Sequence, residues 1–459
     1  MNHLARGTIK VAAVALGCAK NRIDTEEILG LLGRNRFIIA AAPEDADIVV
    51  VNTCSFIESA QQESIDAILR VASPPAGSRP LVIAAGCLVQ HYGEALLQKI
   101  PELSGIIGVH SYKELIPFID RCLAGRREAL ILPPEEQYIS LGPRLLTRPA
   151  HSAYVKIAEG CSNRCRYCLI PGIRGPYRSR APQEIIDEVK ELVSGGAREI
   201  NLVAQDTTAY GLDLNGAPDL PGLLKMLLQA VPQLPWLRVL YAYPSRVSDA
   251  LIDLIAGRPQ LCKYLDLPLQ HAHSEILERM GRHYGTGEIE KLIATLRRRI
   301  PGVALRATFM TGFPGETRRH FQKLLHFMQR HPLERVGAFA YSPQEGTAAA
   351  VLDHPVPARV REKRRRELML LQKNISLALN RRLIGRRLTL LVDRVIENTP
   401  HGSFYYGRTQ YQAPEVDGGV YFKAPSALKP GQFVSARIAA ANPYDLLAVQ
   451  PRPVQSPAS

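Results

Sequence analysis

The chain has 459 residues, more than one domain of ordinary size holds, and this length predicts two or three domains. Hydrophobic residues make up 46% and charged residues 22%, a globular balance, and no apolar run approaches the length of a membrane span. The formal net charge of +14 excludes an acidic protein and is concentrated in one segment.

Three short apolar runs in the first part of the chain each end at a cysteine, and a helix-like stretch follows each run. We call Cys18, Cys54 and Cys87 the strand-end cysteines. Apolar runs alternating with helical patterns predict parallel strands in βαβ units, whose carboxyl ends lie along one sheet edge. A single buried cysteine is more often a small core residue. Three at equivalent ends predict one three-thiolate site, in an open parallel α/β domain over residues 8–135.

A second group of cysteines stands close together in the run EGCSNRCRYCLIPGIRG. These motif cysteines, Cys161, Cys165 and Cys168, form Cys-x3-Cys-x2-Cys with no fourth ligand nearby. A structural zinc site is normally closed by four Cys or His ligands, so zinc is the weaker interpretation. A four-iron, four-sulfur cluster held by three cysteines keeps one iron open. Cys122 and Cys262 fit neither pattern and are expected to lie outside both sites.

Six strand-like runs alternate with helical ones between residues 150 and 355. Six such units predict a partial (β/α)6 barrel, with its active site at the carboxyl ends of the strands. The motif cysteines follow the first strand, and further candidates follow later strands. These candidates are Gln205, Asp206, Gln270, His271, His273 and residues 312–316. A hydrogen-bonded structural role is the more usual one for His271, and a tight turn explains the GFPGE run equally well.

The excess of positive charge lies between residues 359 and 387, which contain 11 Lys or Arg against 2 acidic residues. Four apolar residues recur there at helical spacing: Leu368, Leu371, Ile375 and Leu379. This pattern predicts a basic linker helix over residues 356–384. A solvated face and an RNA-binding face fit it equally.

Short β-branched segments separated by Gly, Pro and Asn follow the basic helix. They predict a small all-β barrel over residues 385–452. Residues 386–450 contain 7 basic and 5 acidic residues, which is a weak electrostatic case for RNA and favours contact with protein.

The order of these segments and motifs resembles the radical S-adenosylmethionine methylthiotransferases over nearly the whole chain. The Cys-x3-Cys-x2-Cys motif alone indicates only the radical superfamily, but LGCAKN at 16–21, VNTC at 51–54 and AAGC at 84–87 are more specific. Three further stretches are similar to the RimO branch: LVAQDTTAYG at 202–211, GAFAYSPQEGT at 337–347 and YQAPEVDG at 411–418. That branch modifies an aspartate of the small-subunit ribosomal protein S-twelve. The resemblance also implies that the C-terminal barrel is a TRAM domain.

Two four-iron, four-sulfur (4Fe-4S) clusters and S-adenosylmethionine are the cofactors that the resemblance implies. The cluster on the motif cysteines would cleave S-adenosylmethionine to a 5′-deoxyadenosyl radical, which takes a hydrogen atom from the β-carbon of the aspartate. The cluster on the strand-end cysteines would hold a methylated sulfur and deliver it, giving 3-methylthioaspartate.

The same resemblance implies ligand contacts for six other residues. They are Tyr167 at the adenine, Gln205 and Asp206 at the methionine end, and Gly312, Pro314 and Gly315 behind the nucleoside. Arg306, on the strand before GFPGE, is predicted from its position to be a cation facing a carboxylate. A buried structural ion pair is an equal alternative for Arg306. No general base is predicted.

The expected partners are ribosomal protein S-twelve, free or within the small ribosomal subunit, and an electron donor. The basic helix keeps an RNA contact open, and no membrane contact is expected. Clustered thiolates need reducing conditions, which predicts a cytoplasmic protein. One alternative is the sister activity, methylthiolation of a tRNA adenosine. Another is a non-enzymatic iron-sulfur electron carrier or RNA-binding module, which would need four ligands for each closed cluster.

Overall fold

The computed structural model describes residues 9–73, 79–399 and 402–454. The chain divides into two compact units. The first comprises Met1–Thr147, Ala158–Asn163 and Cys168–Arg180, and the second comprises Arg148–Ile157, Arg164–Tyr167 and Ala181–Ser459. No helix in these described ranges is both long and apolar enough to cross a membrane.

The first unit is built on a six-stranded sheet in which every neighbouring pair is parallel. Its strands are β1 (Ile9–Ala15), β2 (Phe37–Ile39), β3 (Ile48–Thr53), β4 (Leu81–Gly86), β5 (Gly105–Ile107) and β6 (Glu128–Leu130). Its helices are α1 (Ala19–Gly33), α2 (Glu58–Ala72), α3 (Cys87–Tyr92), α4 (Glu94–Lys99) and α5 (Leu115–Leu123). The strand order is β2-β1-β3-β4-β5-β6, so the predicted open parallel α/β architecture is confirmed.

Alternate residues of the central strands enter two separate cores, one on each face of this sheet. Val50 and Ile83 pack on one face with residues of α1 and α5, whereas Val51 and Ala84 pack on the other with residues of α2, α3 and α4. Burial on both faces explains why these strands read as continuous apolar runs. Cys122 lies in the first of these cores, as expected for a cysteine outside both sites.

The segment with the motif cysteines follows β7 (Ser152–Lys156). A short antiparallel ribbon of β8 (Ala158–Glu159) and β9 (Arg178–Ser179) brackets it and encloses α6 (Ile170–Arg174).

The second unit contains the six strands that the sequence predicts between residues 150 and 355. They form two parallel sheets, with the orders β11-β10-β7 and β12-β13-β14. Beyond β7, these strands are β10 (Glu199–Val203), β11 (Trp236–Val239), β12 (Tyr264–Gln270), β13 (Ala304–Thr311) and β14 (Arg335–Ala340). The helices are α7 (Pro182–Ser194), α8 (Leu220–Ala230), α9 (Asp249–Gly257), α10 (Ser274–Arg279), α11 (Thr286–Arg299) and α12 (Arg318–Arg330). A parallel bridge joins Leu237 of β11 to Leu261, which lies just before β12.

The predicted basic helix is α13 (Ala358–Arg381), but its buried stripe differs from the predicted one. Leu368 is fully buried, whereas Leu371, Ile375 and Leu379 are only half-buried. Gln372, Ser376 and Asn380 are buried instead, because their side chains hydrogen-bond to backbone carbonyls of neighbouring loops. Spacing alone could not distinguish this polar stripe from the apolar one beside it.

The chain ends in a closed five-stranded barrel, as predicted. Its strands are β15 (Arg387–Thr399), β16 (Gly402–Arg408), β17 (Val420–Ala424), β18 (Phe433–Ala441) and β19 (Leu446–Pro453). The order around the barrel is β15-β16-β17-β19-β18. The boundaries proposed above for the four segments of the chain stay predictions.

A buried carboxylate joins the barrel to the strands of the second unit. Glu199, with no exposed surface, accepts hydrogen bonds from Arg408 of β16 at 2.7 and 3.1 Å and from Arg238 of β11 at 2.9 and 3.3 Å. Arg408 also contacts Asp393 at 2.8 Å. Burial opposes ionisation of Glu199, but the charges of Arg408 and Arg238 offset it and hold the pKa of this carboxyl well below its usual range. The network is therefore a closed set of charges whose role is structural.

Replacing Glu199 with Gln should lower the free energy of unfolding by about 3–5 kcal/mol, because Arg238 and Arg408 would stay buried without their shared carboxylate. Denaturant unfolding at neutral pH measures the loss. Glu191→Gln, at an exposed position on α7, should change stability by no more than about 0.5 kcal/mol.

The same pair of proteins tests the pH dependence. A carboxyl whose folded-state pKa is depressed stabilises the protein above its unfolded-state pKa of about 4.3, and this contribution is lost as the pH falls through the folded-state pKa. The stability difference between wild type and Glu199→Gln should therefore narrow below about pH 4. A difference that stays constant in that range would contradict the ionised state assigned to Glu199.

Candidate functional site

The strand-end cysteines lie at the carboxyl ends of three neighbouring strands. Cys18 is the N-cap of α1 after β1, Cys54 follows β3, and Cys87 is the first residue of α3 after β4. Burial raises the pKa of Cys54 to about 12, and the nearby thiols of Cys18 and Cys87 contribute to the rise. The structure therefore brings the three residues together, as the sequence predicts. Cys54 and Cys87 are buried and Cys18 is exposed.

Glycines precede two of these cysteines because the backbone turns sharply there. Gly17 has a φ of +85° and Gly86 a φ of +98°, a region that favours glycine. A Cβ atom at Gly17 would lie 2.8 Å from the sulfur of Cys54, and one at Gly86 would lie 2.6 Å from the carbonyl oxygen of Thr53. Glycine is thus needed for the turns to approach one another.

Two buried asparagines hold these turns in place. Asn21 donates to the carbonyl oxygens of Thr53 at 2.7 Å and Leu16 at 3.1 Å, and Asn52 donates to the carbonyl oxygen of Asn21 at 2.8 Å. They are the asparagines of the LGCAKN and VNTC runs. The resemblance singled out these two runs but did not explain why they contain asparagine. The structure gives the reason, which is that the asparagine amides donate hydrogen bonds to backbone carbonyls near the cysteine turns.

A buried arginine at the end of α6 enters the same site. The Nε and Nη2 of Arg174 donate to the sulfur of Cys87 at 3.4 and 3.2 Å, and Nη2 also donates to Asn21 Oδ1 at 2.6 Å. Its Nη1 lies 2.8 Å from Asp24 Oδ2 and 2.9 Å from Glu159 Oε2. Sequence analysis missed Arg174, because its partners are far away along the chain and a lone arginine in LIPGIRG carries no recognisable signal.

The donor set at this edge fits an iron-sulfur cluster. Thiolates are soft ligands that suit such clusters, and burial of their negative charge is costly without a compensating cation. Arg174, whose charge Asp24 and Glu159 already balance, directs two N–H donors at one of these sulfurs. Three cysteines would also leave one iron of a 4Fe-4S cluster open.

The motif cysteines occupy the loop between β8 and α6. Cys161 is buried, and Cys165 and Cys168 are half-buried. The backbone N–H of Cys161 donates to the Gly175 carbonyl at 3.1 Å, and that of Arg166 donates to the Met280 carbonyl at 2.9 Å. These bonds fix the loop backbone near the first two cysteines of the motif.

Arg282 is a buried cation near Cys165 whose charge no neighbouring carboxylate balances among the described residues. This side chain is buried, it contacts the rings of Tyr243 and Tyr284, and its Nη2 donates to the Pro268 carbonyl at 3.0 Å. Among the described residues no carboxylate pairs with it, and its Nε has no hydrogen-bond partner. Burial lowers the pKa of the guanidinium, but weakly acidic neighbours, first Tyr167 and Tyr284 and then Cys165, raise it well above its usual value. A buried cation without a counterion fits an anionic thiolate-bound cluster on the motif cysteines.

Tyr167 and the GFPGE turn lie together in the second unit. The ring of Tyr167 packs edge-on against Phe313, with the ring centroids 6.4 Å apart. Gly312 and Gly315 both have positive φ. A Cβ at Gly312 would collide with Arg361, and one at Gly315 would lie 2.5 Å from the Arg279 Nε. Close packing of two arginines therefore accounts for the glycines before any ligand is considered.

Two charged candidates have protein partners. Asp206 is buried, accepts a hydrogen bond from the Thr208 backbone at 3.1 Å, and pairs with Arg246 at 2.6 Å. Arg306 pairs with Asp266 at 2.9 Å and approaches Asp417 at 3.6 Å. Both residues thus form ion pairs with protein groups, which fits the structural alternative for Arg306. Their roles at a ligand stay predictions.

Histidines after β12 form hydrogen bonds with other protein groups. His271 is fully buried, accepts from the His273 backbone at 2.9 Å, and lies 3.6 Å from Glu316. His273, Glu275 and His320 place ligand atoms within 4.8 Å of one another. However, His320 accepts the Thr317 N–H on Nδ1, so its Nε2 carries the proton and faces Glu275 at 3.2 Å. A hydrogen bond therefore explains this group better than a metal.

Comparison with protein families finds three matches along the chain. The model described as "Uncharacterized protein family UPF0004" matches residues 10–108, the Radical SAM superfamily matches residues 155–328, and the TRAM domain matches residues 384–450. The strand-end cysteines lie within the first range and the motif cysteines within the second.

Curated relatives match almost the whole chain. The protein named ribosomal protein uS12 methylthiotransferase RimO in Desulforudis audaxviator is 46% identical over 440 residues, covering 96% of each chain. The protein of the same name in Geobacter sulfurreducens is 44% identical, covering 95% of this chain and 98% of its own.

Among solved structures, the radical S-adenosylmethionine methyltransferase TsrM from Kitasatospora setae aligns with a TM-score of 0.54 at 16% identity. The alignment covers 75% of this chain and 77% of that one, which is a likeness of fold alone. On the strength of the curated relatives and the three matched models, the chain belongs to the RimO family of radical S-adenosylmethionine methylthiotransferases.

Proposed function

We propose that the chain adds a methylthio group to the β-carbon of an aspartate in ribosomal protein uS12. The observation that carries this proposal is the convergence of the strand-end cysteines at one sheet edge, in a chain that also contains a separate Cys-x3-Cys-x2-Cys motif. Relatives that match the chain almost end to end are named for this reaction.

Each cysteine group would hold one 4Fe-4S cluster. When they are bound, the cluster on the motif cysteines and S-adenosylmethionine supply a 5′-deoxyadenosyl radical, and the cluster on the strand-end cysteines supplies the methylated sulfur. Ligation by three cysteines would leave one iron of each cluster without a protein ligand, and S-adenosylmethionine at one cluster and the sulfur at the other could bind there.

The protein residues bind, orient and shield rather than transfer protons. The β C–H of an aspartate is a poor acid, so removal as a hydrogen atom avoids the barrier of forming a carbanion beside a carboxylate. Arg282 would balance the charge of the cluster on the motif cysteines, and Tyr167, held edge-on by Phe313, would contact the adenine. Cys18 is the exposed strand-end cysteine, so the substrate would approach the second cluster from its side.

The remaining candidates complete the proposed cofactor site. Gln205 and Asp206 would lie at the methionine end of S-adenosylmethionine, and Gly312, Pro314 and Gly315 would pass behind the nucleoside. Arg306 already has two carboxylate neighbours, which supports a role in holding β12 and β13 together.

The charge distribution supports the proposed protein and RNA partners. The nearly balanced charge of the C-terminal barrel suits a protein substrate, which would be the uS12 loop itself. Exposed basic residues on α13, such as Lys363, Arg366 and Lys373, would contact RNA when uS12 is presented within the small subunit. An electron donor must supply the electron for each cleavage of S-adenosylmethionine, and a reducing cytoplasm suits both clusters.

Anaerobically reconstituted wild-type protein, given a reductant, S-adenosylmethionine and a peptide of the uS12 loop, should add a methylthio group to aspartate, as detected by mass spectrometry. Cys54→Ala should lose this product but still form 5′-deoxyadenosine, because the motif cysteines are intact. Cys165→Ala should lose both products.

Cys122→Ala is the matched control, because this buried cysteine lies in the same unit as Cys54 but outside both groups. It should retain both products. A methylthio group found only on tRNA adenosine would assign the sister activity instead, and undiminished transfer by Cys54→Ala would refute the role of the strand-end cysteines.

Replacing Arg282 with Met should weaken iron binding at the motif cysteines by about 10- to 100-fold, the usual cost of losing an outer-shell partner of a metal site. The experiment uses protein in which Cys18, Cys54 and Cys87 are all replaced by Ala, so that only the motif cysteines can bind a cluster. An iron chelator then competes for the iron, and the visible absorption of the cluster measures the loss of affinity. Arg282→Lys, which keeps the charge, should retain part of the affinity. Equal affinity in wild type and Arg282→Met would show that the guanidinium does not balance this cluster.

A further inference from the structure

Arg174 connects the segment of the motif cysteines to the strand-end cysteines. It is the last residue of α6, which begins two residues after Cys168, and its side chain is 3% exposed. The guanidinium directs its donors at the strand-end site and at carboxylates beside it. Arg174 is therefore close to the motif cysteines in the sequence, but its side chain contacts a strand-end cysteine.

The two sides of the guanidinium have different partners. Nε and Nη2 both donate to the sulfur of Cys87, at 3.4 and 3.2 Å, so one thiol receives two N–H groups. Nη1 lies between the carboxylates of Asp24 and Glu159, at 2.8 and 2.9 Å. The carboxylates fix the orientation of the guanidinium, which keeps its other side directed at the sulfur.

Asn21 ties this contact to the turn of another cysteine. Its Oδ1 accepts from Nη2 of Arg174 at 2.6 Å, while its Nδ2 donates to the Thr53 carbonyl, one residue before Cys54. A displacement of Arg174 would therefore disturb the positions of two strand-end cysteines at once.

Hydrogen bonds to a cluster-bound sulfur and a nearby positive charge both favour the more negative, reduced state of a cluster, and so raise its reduction potential. Asp24 and Glu159 together carry two negative charges against the one positive charge of Arg174, so a net positive charge is not what Cys87 receives. Arg174 instead supplies two N–H donors to the Cys87 sulfur, and the carboxylates, which contact only Nη1, leave these donors in place.

We propose that Arg174 is a positioning residue that holds Cys87 and raises the reduction potential of the cluster on the strand-end cysteines. The inference rests on the proposed second cluster and adds to it that the motif segment itself tunes that cluster. Loss of Arg174 would thus affect the strand-end site even in protein that carries no cluster at the motif cysteines.

The test uses the full chain with Cys161→Ala, Cys165→Ala and Cys168→Ala, so that any cluster sits on the strand-end cysteines. The midpoint potential is measured by redox titration followed by electron paramagnetic resonance. Arg174→Met in this background should shift the potential to a more negative value, and Arg174→Lys, which keeps a charge but not the paired donors, should give an intermediate value.

Arg178→Lys is the matched control. It changes a buried arginine on the same segment whose hydrogen bonds go to the carbonyls of Glu135 and Arg174 rather than to a cysteine sulfur. Its potential should equal that of the background protein. If Arg174 had a purely structural role, the potential would not rise in order from Arg174→Met through Arg174→Lys to the background protein with Arg174 intact.

The outcomes separate this inference from the proposed function. If the Arg174→Met protein carries a full cluster at an unchanged potential, the role of Arg174 is contradicted, but the second cluster is not. No cluster in the background protein contradicts the second cluster, and this inference with it. If circular dichroism shows that Arg174→Met does not fold, the test uses Arg174→Lys. A potential of Arg174→Lys equal to that of the background protein would then overturn the proposal. A folded Arg174→Met protein that binds less iron than the background supports the positioning of Cys87.

Discussion

The structure depends on a constraint of parallel sheets, which is that strands running in one direction end at one edge. β1, β3 and β4 are neighbours in the sheet, and each delivers a cysteine at its carboxyl end. Residues separated by more than thirty positions in the sequence thereby become a single group. The glycines at 17 and 86 and the amides of Asn21 and Asn52 then bring the turns to the distances that a shared ligand requires.

Four of the buried arginines differ in how neighbouring groups balance their charges. Arg408 and Arg238 share Glu199, so their charges are neutralised by the protein itself. Arg282 has no carboxylate partner among the described residues and lies near Cys165. Arg174 lies between these cases, because its carboxylates occupy one side and a cysteine sulfur the other. Of these four, only Arg282 leaves a buried positive charge for an anionic group to balance.

Much of the fold could be predicted from the sequence, because apolar runs and their periodicity reflect local backbone geometry. All six strands between residues 150 and 355 were predicted from such runs, and the convergence of Cys18, Cys54 and Cys87 followed from the parallel arrangement. The contacts of Arg174 and Arg282 could not be predicted, since they join residues that only the tertiary fold places together. The polar stripe of α13 was also missed, because Gln372, Ser376 and Asn380 are buried through bonds to loops that helical spacing does not reveal.

The central claim is that one chain holds two clusters, each on three cysteines. Iron and sulfide analysis with Mössbauer spectroscopy on anaerobically reconstituted protein tests it most directly. The account predicts about eight irons per chain in wild type, all in 4Fe-4S clusters, and about four after Cys18, Cys54 and Cys87 are all replaced by Ala. Equal iron content in the two proteins, or about four irons per chain in wild type, would contradict it.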